Sequence, residues 1–582
     1  MNYPKLTELY TSRDMIDAFG GYNHNLRIGD GEFYEMTNLT SSNYPVLSPR
    51  PKRGVYTAPR DERYSPTGII SKDKLCYVEH GVFYLNGEEV EGLSLNEMDK
   101  TLISMGAYVI IFPDKKYVNV VNPGEYGDIE SMVTTTEDTT FTLCMQDGEE
   151  YVVDYTQSYE PDHPYDGDIW VDTSGSSDVL KKYSEQQEKW ITIPTTYIRI
   201  ASPGIGTDFL EGDSVTISGI GMPIVSALNT TLTIQARADD YIVVTGMLQA
   251  MQTEWRKITV ERKIPKMDFI IESGNRLWGC RYGTANNGEI VNEIYASKLG
   301  DFKNWNSFDG ISTDSYVATC GTDGAFSGAI THMGYPLFFK ENCVHKVYGN
   351  FPSNFQIQTT ACRGVQKGCN KSLAIVNETL YYKSRSAVCA YDGSLPVEIS
   401  SALGEEAYSD AVAGSLGNKY YISMKDAKGK YHLFVYDTAK GMWHREDDTR
   451  AVEFCSHDGD LYYIDYADRK IKTVLGTGTK ETANVRWSAT SGIIGTDMPD
   501  KKYISRLVIR LALEIGTSIT FSIEYDSSGE WEHLFSMAGT NLRSFSIPIR
   551  PRRCDHLRLR IDGVGDAKVF SICKTIEQGS DV

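Results

Sequence analysis

Carboxylates are the side chains most able to do chemistry in this sequence, with 78 Asp and Glu against 58 Lys and Arg. Glycoside hydrolysis needs two of them flanking the scissile bond, and none sits in a recognisable paired motif. Asp162-His-Pro-Tyr-Asp166-Gly167-Asp168 clusters oxygen donors as a calcium loop would, but lacks the distal Glu of an EF-hand. A calcium loop and a solvated turn both fit it. Gly29-Asp30-Gly31 is a fragment of a glycine-rich loop without the strand-to-helix context of phosphate binding, and reads as a turn. No P-loop, G-x-S-x-G elbow or H-E-x-x-H occurs. The ten His are dispersed, and His80, His332, His345 and His432 lie in or beside strands, as packed or surface histidines do. The eleven Cys include no C-x-x-C, and Cys362 and Cys369 have no metal-ligand spacing. Several sit in apolar runs, such as Leu75-Cys76-Tyr77 and Leu143-Cys144-Met145. They read as buried free thiols of a protein assembled in a reducing cytoplasm. No catalytic residue, cofactor or metal ligand is assigned, and the expectation is a non-enzymatic protein.

The formal charge of −20 opposes a broad grip on nucleic acid, which rests on neutralising phosphates. It is compatible with DNA sliding past an acidic wall, and equally with simple solubility. Met1-Asn-Tyr-Pro-Lys5 lacks the basic start and apolar core of a signal peptide. No apolar run approaches the ~20 residues of a membrane span.

The elements that must position these residues are strands. The chain holds 37 Tyr and 51 Gly, a composition of short strands broken by tight turns. Leu75-Cys-Tyr-Val78, Val82-Phe-Tyr-Leu85 and Tyr108-Val-Ile-Ile-Phe112 open a pattern of apolar strand, polar turn and aromatic strand, with Asn86-Gly87 as a hairpin signal. It returns from Phe269-Ile-Ile271 to Leu461-Tyr-Tyr-Ile464, with strands ending in Tyr391-Asp392 and Tyr436-Asp437. The spacing of roughly 40–50 residues is that of propeller blades, about six to eight of them. Sialidase-type propellers repeat a Ser-x-Asp-x-Gly-x-Thr-Trp box. The nearest approach here, Asp526-Ser-Ser-Gly529-Glu-Trp531, has the wrong spacing and lies outside the repeat.

The predicted architecture is all-β: an interrupted β-propeller with an inserted β-domain and a C-terminal β-sandwich. Residues 1–65 are an N-terminal arm and rim loops, 66–127 the first blades, 128–264 the inserted β-domain or domains, and 265–476 the remaining blades. Residues 477–582 form the sandwich, because Arg506–Leu513 and Ser518–Tyr525 alternate apolar and polar.

With the repeat in view, the chain resembles the tail nozzle family of short-tailed bacteriophages, also called tail tubular protein B or tail hub proteins. The arm Met36-Thr-Asn38-Leu-Thr-Ser-Ser-Asn43-Tyr44-Pro45-Val-Leu-Ser-Pro49-Arg50 carries the likeness. So does Gly274-Asn-Arg276-Leu-Trp278 with Ile294-Tyr-Ala-Ser297-Lys-Leu-Gly300-Asp301-Phe-Lys-Asn-Trp305. The resemblance implies a structural virion protein, assembled in the host bacterial cytoplasm into a homo-oligomeric, hexameric ring. DNA would exit through its channel without specific binding, with a tail adaptor protein above and a tail needle or fibres as further attachments. Tyr44, Arg50, Lys52 and Arg53 are the candidate subunit contacts, facing either a neighbour's acids or water. The alternative is a carbohydrate-binding or glycan-degrading propeller that recognises the host surface.

Overall fold

The computed structural model describes residues 10–57, 63–285 and 288–579; the first residues of the chain, on which the reading of its start rests, lie outside them. The described residues form 52 strands and no α-helix. Seven four-stranded antiparallel blades can be traced among them. Blade one runs from Pro66–Lys72 to Glu88–Ser94, and blade two from Thr101–Met105 to Tyr126–Asp128. Blade three runs from Phe269–Ser273 to Tyr316–Thr319, blade four from Gly328–His332 to Gln356–Ala361, and blade five from Ala374–Val376 to Val397–Glu398. Blade six spans Ser409–Leu416 to Met442–Arg445. Blade seven has Ala451–His457, Asp460–Asp465 and Ile471–Thr473, and takes its fourth strand, Gly54–Thr57, from the other end of the chain.

First strands of successive blades touch around the ring, blade seven meeting blade one. Between blades four and five the short turn Asn370–Ser372 fills in. Two-residue turns join many first and second strands, as at Gly274-Asn275 and Asp458-Gly459. Both residues of each have positive φ, as tight hairpins with the native twist require. Second strands such as Asp460–Asp465 are buried along their whole length, because blades cover both of their faces. They therefore read as unbroken apolar runs rather than alternating ones.

The insertion follows blade two. Two sheets, one built around Thr259–Arg262 and one around Tyr197–Ala201, enclose a core of Phe141, Ile200, Val215, Ile242 and Val260. A third sheet of Tyr155–Gln157, Ile169–Asp172, Val179–Ser184 and Lys189–Thr192 rises from it, over its own small core of Val171 and Leu180.

After residue 480 the strands lengthen. Lys502–Tyr525 pairs first with Ala567–Gln578 and then with Leu557–Val564. Its in–out alternation slips at Ser505-Arg506 and is lost at Glu514-Ile515-Gly516, where pairing passes from the first partner strand to the second. This sheet does not end at the C-terminal region. Arg486–Ser491 pairs with Glu32–Thr37, Gly21–Tyr22 follows, and Tyr22 meets Trp443 of blade six. Residues read as an arm with rim loops are thus threaded through three sheets. The pieces are short, and Thr11–Ile16, Glu32–Thr37 and Gly54–Thr57 find partners hundreds of residues away, so no local periodicity announces them.

Candidate functional site

Gly21–Tyr22, Glu32–Thr37 and the hairpin of blade six that carries 426–432 enclose a pocket of about 370 Å³. His432 sits in its wall. Arg445 Nε donates to His432 Nδ1 at 3.1 Å, so the other ring nitrogen carries the proton and donates to Asp426 Oδ2 at 2.9 Å. Burial holds the His432 pKa below the ordinary imidazole value, although Asp426 pulls the other way. The bond from His432 in turn keeps Asp426 below the usual carboxylate range. Asp426 also accepts the backbone N–H groups of Lys428 and Lys430, both at 2.9 Å. With both ring nitrogens engaged, His432 is a positioning group rather than a free base.

Aromatic rings line the rest. Tyr408 meets His432 edge-on, and burial next to Glu406 and Asp426 pushes its hydroxyl up to about 12. His24 stacks between Tyr22 and Tyr34, 5.8 and 4.1 Å from their centroids. At the rim Glu35 and Glu406 are exposed and make no ion pair with another described residue. Ring faces, hydroxyls and unpaired carboxylates gathered in one concavity suit a polyhydroxylated ligand. No sequence spacing marks this site, because its residues come from 22–35, 406–408 and 426–445, which meet only through the sheet joining blade six to the C-terminal strands.

The residues singled out from the sequence are placed elsewhere. Arg53, 4% exposed, is inside the chain rather than at a subunit surface. It pairs with Glu446 at 2.7 Å and Asp447 at 2.8 Å, with the Tyr463 ring alongside. Arg50 is also buried, donating to Asn38 Oδ1 at 2.8 Å and pairing with Glu481 at 3.3 Å. Burial raises the Asp447 pKa, but the two guanidinium groups outweigh it and the carboxyl lies below its ordinary value. Both arginines thus fasten Gly54–Thr57 into blade seven, which corrects their assignment to a neighbouring subunit. Tyr44 and Lys52 remain nearer the surface; Lys52 Nζ donates to Thr482 O at 3.3 Å.

The Arg276–Trp305 motif builds a second joint. Arg276 is buried and donates to the carbonyls of Ser297 (2.7 Å) and Ser312 (3.0 Å), holding the long connection of blade three. Asn304 on that connection donates to Asp213 at 2.9 Å and accepts from Ser214 N at 2.8 Å. Asp213 also pairs with Arg262 of the inserted domain.

Among the described residues, no three His, Cys, Asp or Glu side chains converge as a metal site. In the turn at 162–168, Asp168 accepts Tyr165 N at 2.8 Å and Asp166 accepts Glu185 N at 2.9 Å. The cysteines are free thiols, nine buried and two half-buried. His332 and His345 are buried; His345 lies between the Thr322 and Thr359 hydroxyls, and burial lowers its pKa to about 4.

No family model and no curated protein matches the sequence. Solved structures do. An exo-beta-1,3-galactanase from Phanerochaete chrysosporium matches at 10% identity and TM-score 0.21, over 53% of this chain and 95% of its own. A phage phi92 endosialidase matches at 11% and 0.21, over 75% and 68%. An acylaminoacyl peptidase from Pyrococcus horikoshii matches at 11% and 0.24, over 54% and 48%. These matches to enzymes overturn the expectation, drawn from missing catalytic motifs, that the chain is not an enzyme. At such TM-scores they assign no activity in its place.

Proposed function

We propose that the chain is a structural component of a short-tailed phage's tail, forming the nozzle ring through which DNA exits beneath a tail adaptor. One observation carries this reading: the residues that resemble the nozzle family are fasteners. Asn38 and Arg50 lock the strand that closes the propeller, and Arg276, Asp301 and Asn304 hold the inserted domain against blade three. Such joints suit a part that transmits force. Closed blades also leave few open sheet edges for unwanted pairing between stored copies. Negative-stain microscopy of the protein, alone and mixed with the tail adaptor, tests the reading. Rings with a central hole in either sample are expected; monomers in both would sink it.

A second reading, recognition or cleavage of a host-surface glycan, is favoured by the pocket of Tyr22, Glu35, Glu406, Tyr408 and Asp426. It requires that the lone chain bind or degrade a soluble glycan, and that Glu35→Gln with Glu406→Gln remove that property.

A further inference from the structure

The small third sheet of the insertion carries a concentration of rings that neither joint nor pocket uses. Cross-strand register sets Tyr155 beside Trp170, Trp170 beside Lys181, and Tyr183 beside Trp190. These side chains share one face, because Ile169, Val171 and Leu180 point to the opposite side and form the core. Trp190 is the hub, with ring centroids at 5.3 Å from Trp170, 5.3 Å from Tyr183 and 6.1 Å from Tyr155. Lys181 Nζ lies 4.5 Å from the Trp170 ring centre while pairing with Asp172 at 2.7 Å. The loop after Tyr155–Gln157 adds Tyr159 and Tyr165, 68% and 79% exposed. Asp168 anchors that loop by accepting both Tyr165 N and the Tyr155 hydroxyl.

Two features select the ligand. Every ring here is Tyr or Trp, types that offer an apolar face and a polar edge together, and Tyr159 and Tyr165 hold theirs in solvent. The indole N–H of Trp190 is buried and meets no acceptor among the described residues, a donor that costs about 1–3 kcal/mol to leave unmet. A flat C–H face flanked by hydroxyl acceptors is the chemistry of a pyranose ring.

We propose that this face of the inserted domain binds a saccharide chain, its sugar rings stacking on Tyr155, Tyr159, Tyr165 and Trp190. The site is separate from the pocket beside blade six and independent of the tail reading. Tryptophan fluorescence of the full chain, titrated with cellohexaose, maltohexaose and mannohexaose at up to millimolar concentration, is the test. A saturable change with at least one hexaose is expected. Trp190→Ala, and separately Tyr159→Ala with Tyr165→Ala on the exposed loop, should each weaken it by about tenfold or more. Arg363→Ala, which removes an exposed ion pair with Glu398 outside both sites, should leave it unchanged. The proposal is overturned if no hexaose binds, if the loop variant binds as well as the parent, or if Arg363→Ala weakens binding as much as Trp190→Ala does. A face that instead captured only a protein surface would show as the first of these.

Discussion

The closure of blade seven and the pocket beside blade six draw on the same residue types and adjoin at Arg445-Glu446-Asp447. In the closure, Arg50 and Arg53 are matched against Glu446, Asp447 and Glu481, and the two arginines and Glu446 are withdrawn from water. In the pocket, Arg445, His432 and Asp426 form a similar chain of bonds, yet Glu35 and Glu406 are left facing solvent. Charge by itself therefore marks neither fastening nor function. What separates the two regions is whether every charge has been used.

The sharpest way to break the contrast is Arg53→Ala. It strands the buried Glu446 and the partner carboxylate Asp447, and should cost about 3–5 kcal/mol, read as a lowered midpoint in thermal or urea unfolding. Because Asp447 titrates below its unfolded value, its contribution is complete above pH ~4 and fades as pH falls through the folded pKa. The variant should therefore converge with the parent in acid. An unchanged midpoint at pH 7 would remove the closure from the argument.

Asp213→Ala should act next most strongly and more locally, since it leaves the buried Arg262 without its carboxylate. About 3 kcal/mol of destabilisation is expected, seen as faster hydrogen exchange across 129–264 while blades four to six keep their protection.

The histidines give a smaller, graded effect. Burial lowers His345 to about 4 and His444 to about 3, and also depresses His432. The unfolded chain takes up these protons near pH ~6.5 while the folded one resists them. Stability is thus full above pH ~6.5 and falls as pH drops, by roughly 1.4 kcal/mol per unit for each group. Melting points recorded from pH 7.5 to 5 should decline, and less steeply for His444→Gln. A flat profile would contradict the neutral tautomer drawn for His432.

At the small end, Glu35→Gln and Glu406→Gln should change stability by no more than about 0.5 kcal/mol. A larger loss in thermal unfolding would mean that these carboxylates are structural after all.

The strands were largely legible from sequence because apolar runs such as Tyr420–Met424 and tight turns such as Asp458-Gly459 are local signals. The alternation in Arg506–Leu513 was legible for the same reason. The threading of residues 11–57 was not, since strands as short as Gly21–Tyr22 owe their existence to partners such as Trp443. Arg50 and Arg53 look like a solvated basic loop until the acids at 446–447 and 481 are folded against them. The pocket is hidden for a related reason: Tyr22, Tyr408 and Asp426 have no spacing relation, only a shared wall.

The strand Gly54–Thr57 and its partners Ile471–Thr473 leave the ribosome roughly 400 residues apart. At about 5–20 residues per second, the early strand waits some 20–80 s for the blade it completes. By the end of that interval the growing chain carries six blades with nothing to close against, and an edge open to the wrong partner. Ring closure must then wait for blade seven to emerge, and a nascent chain cut short before residue 471 has no means of making it.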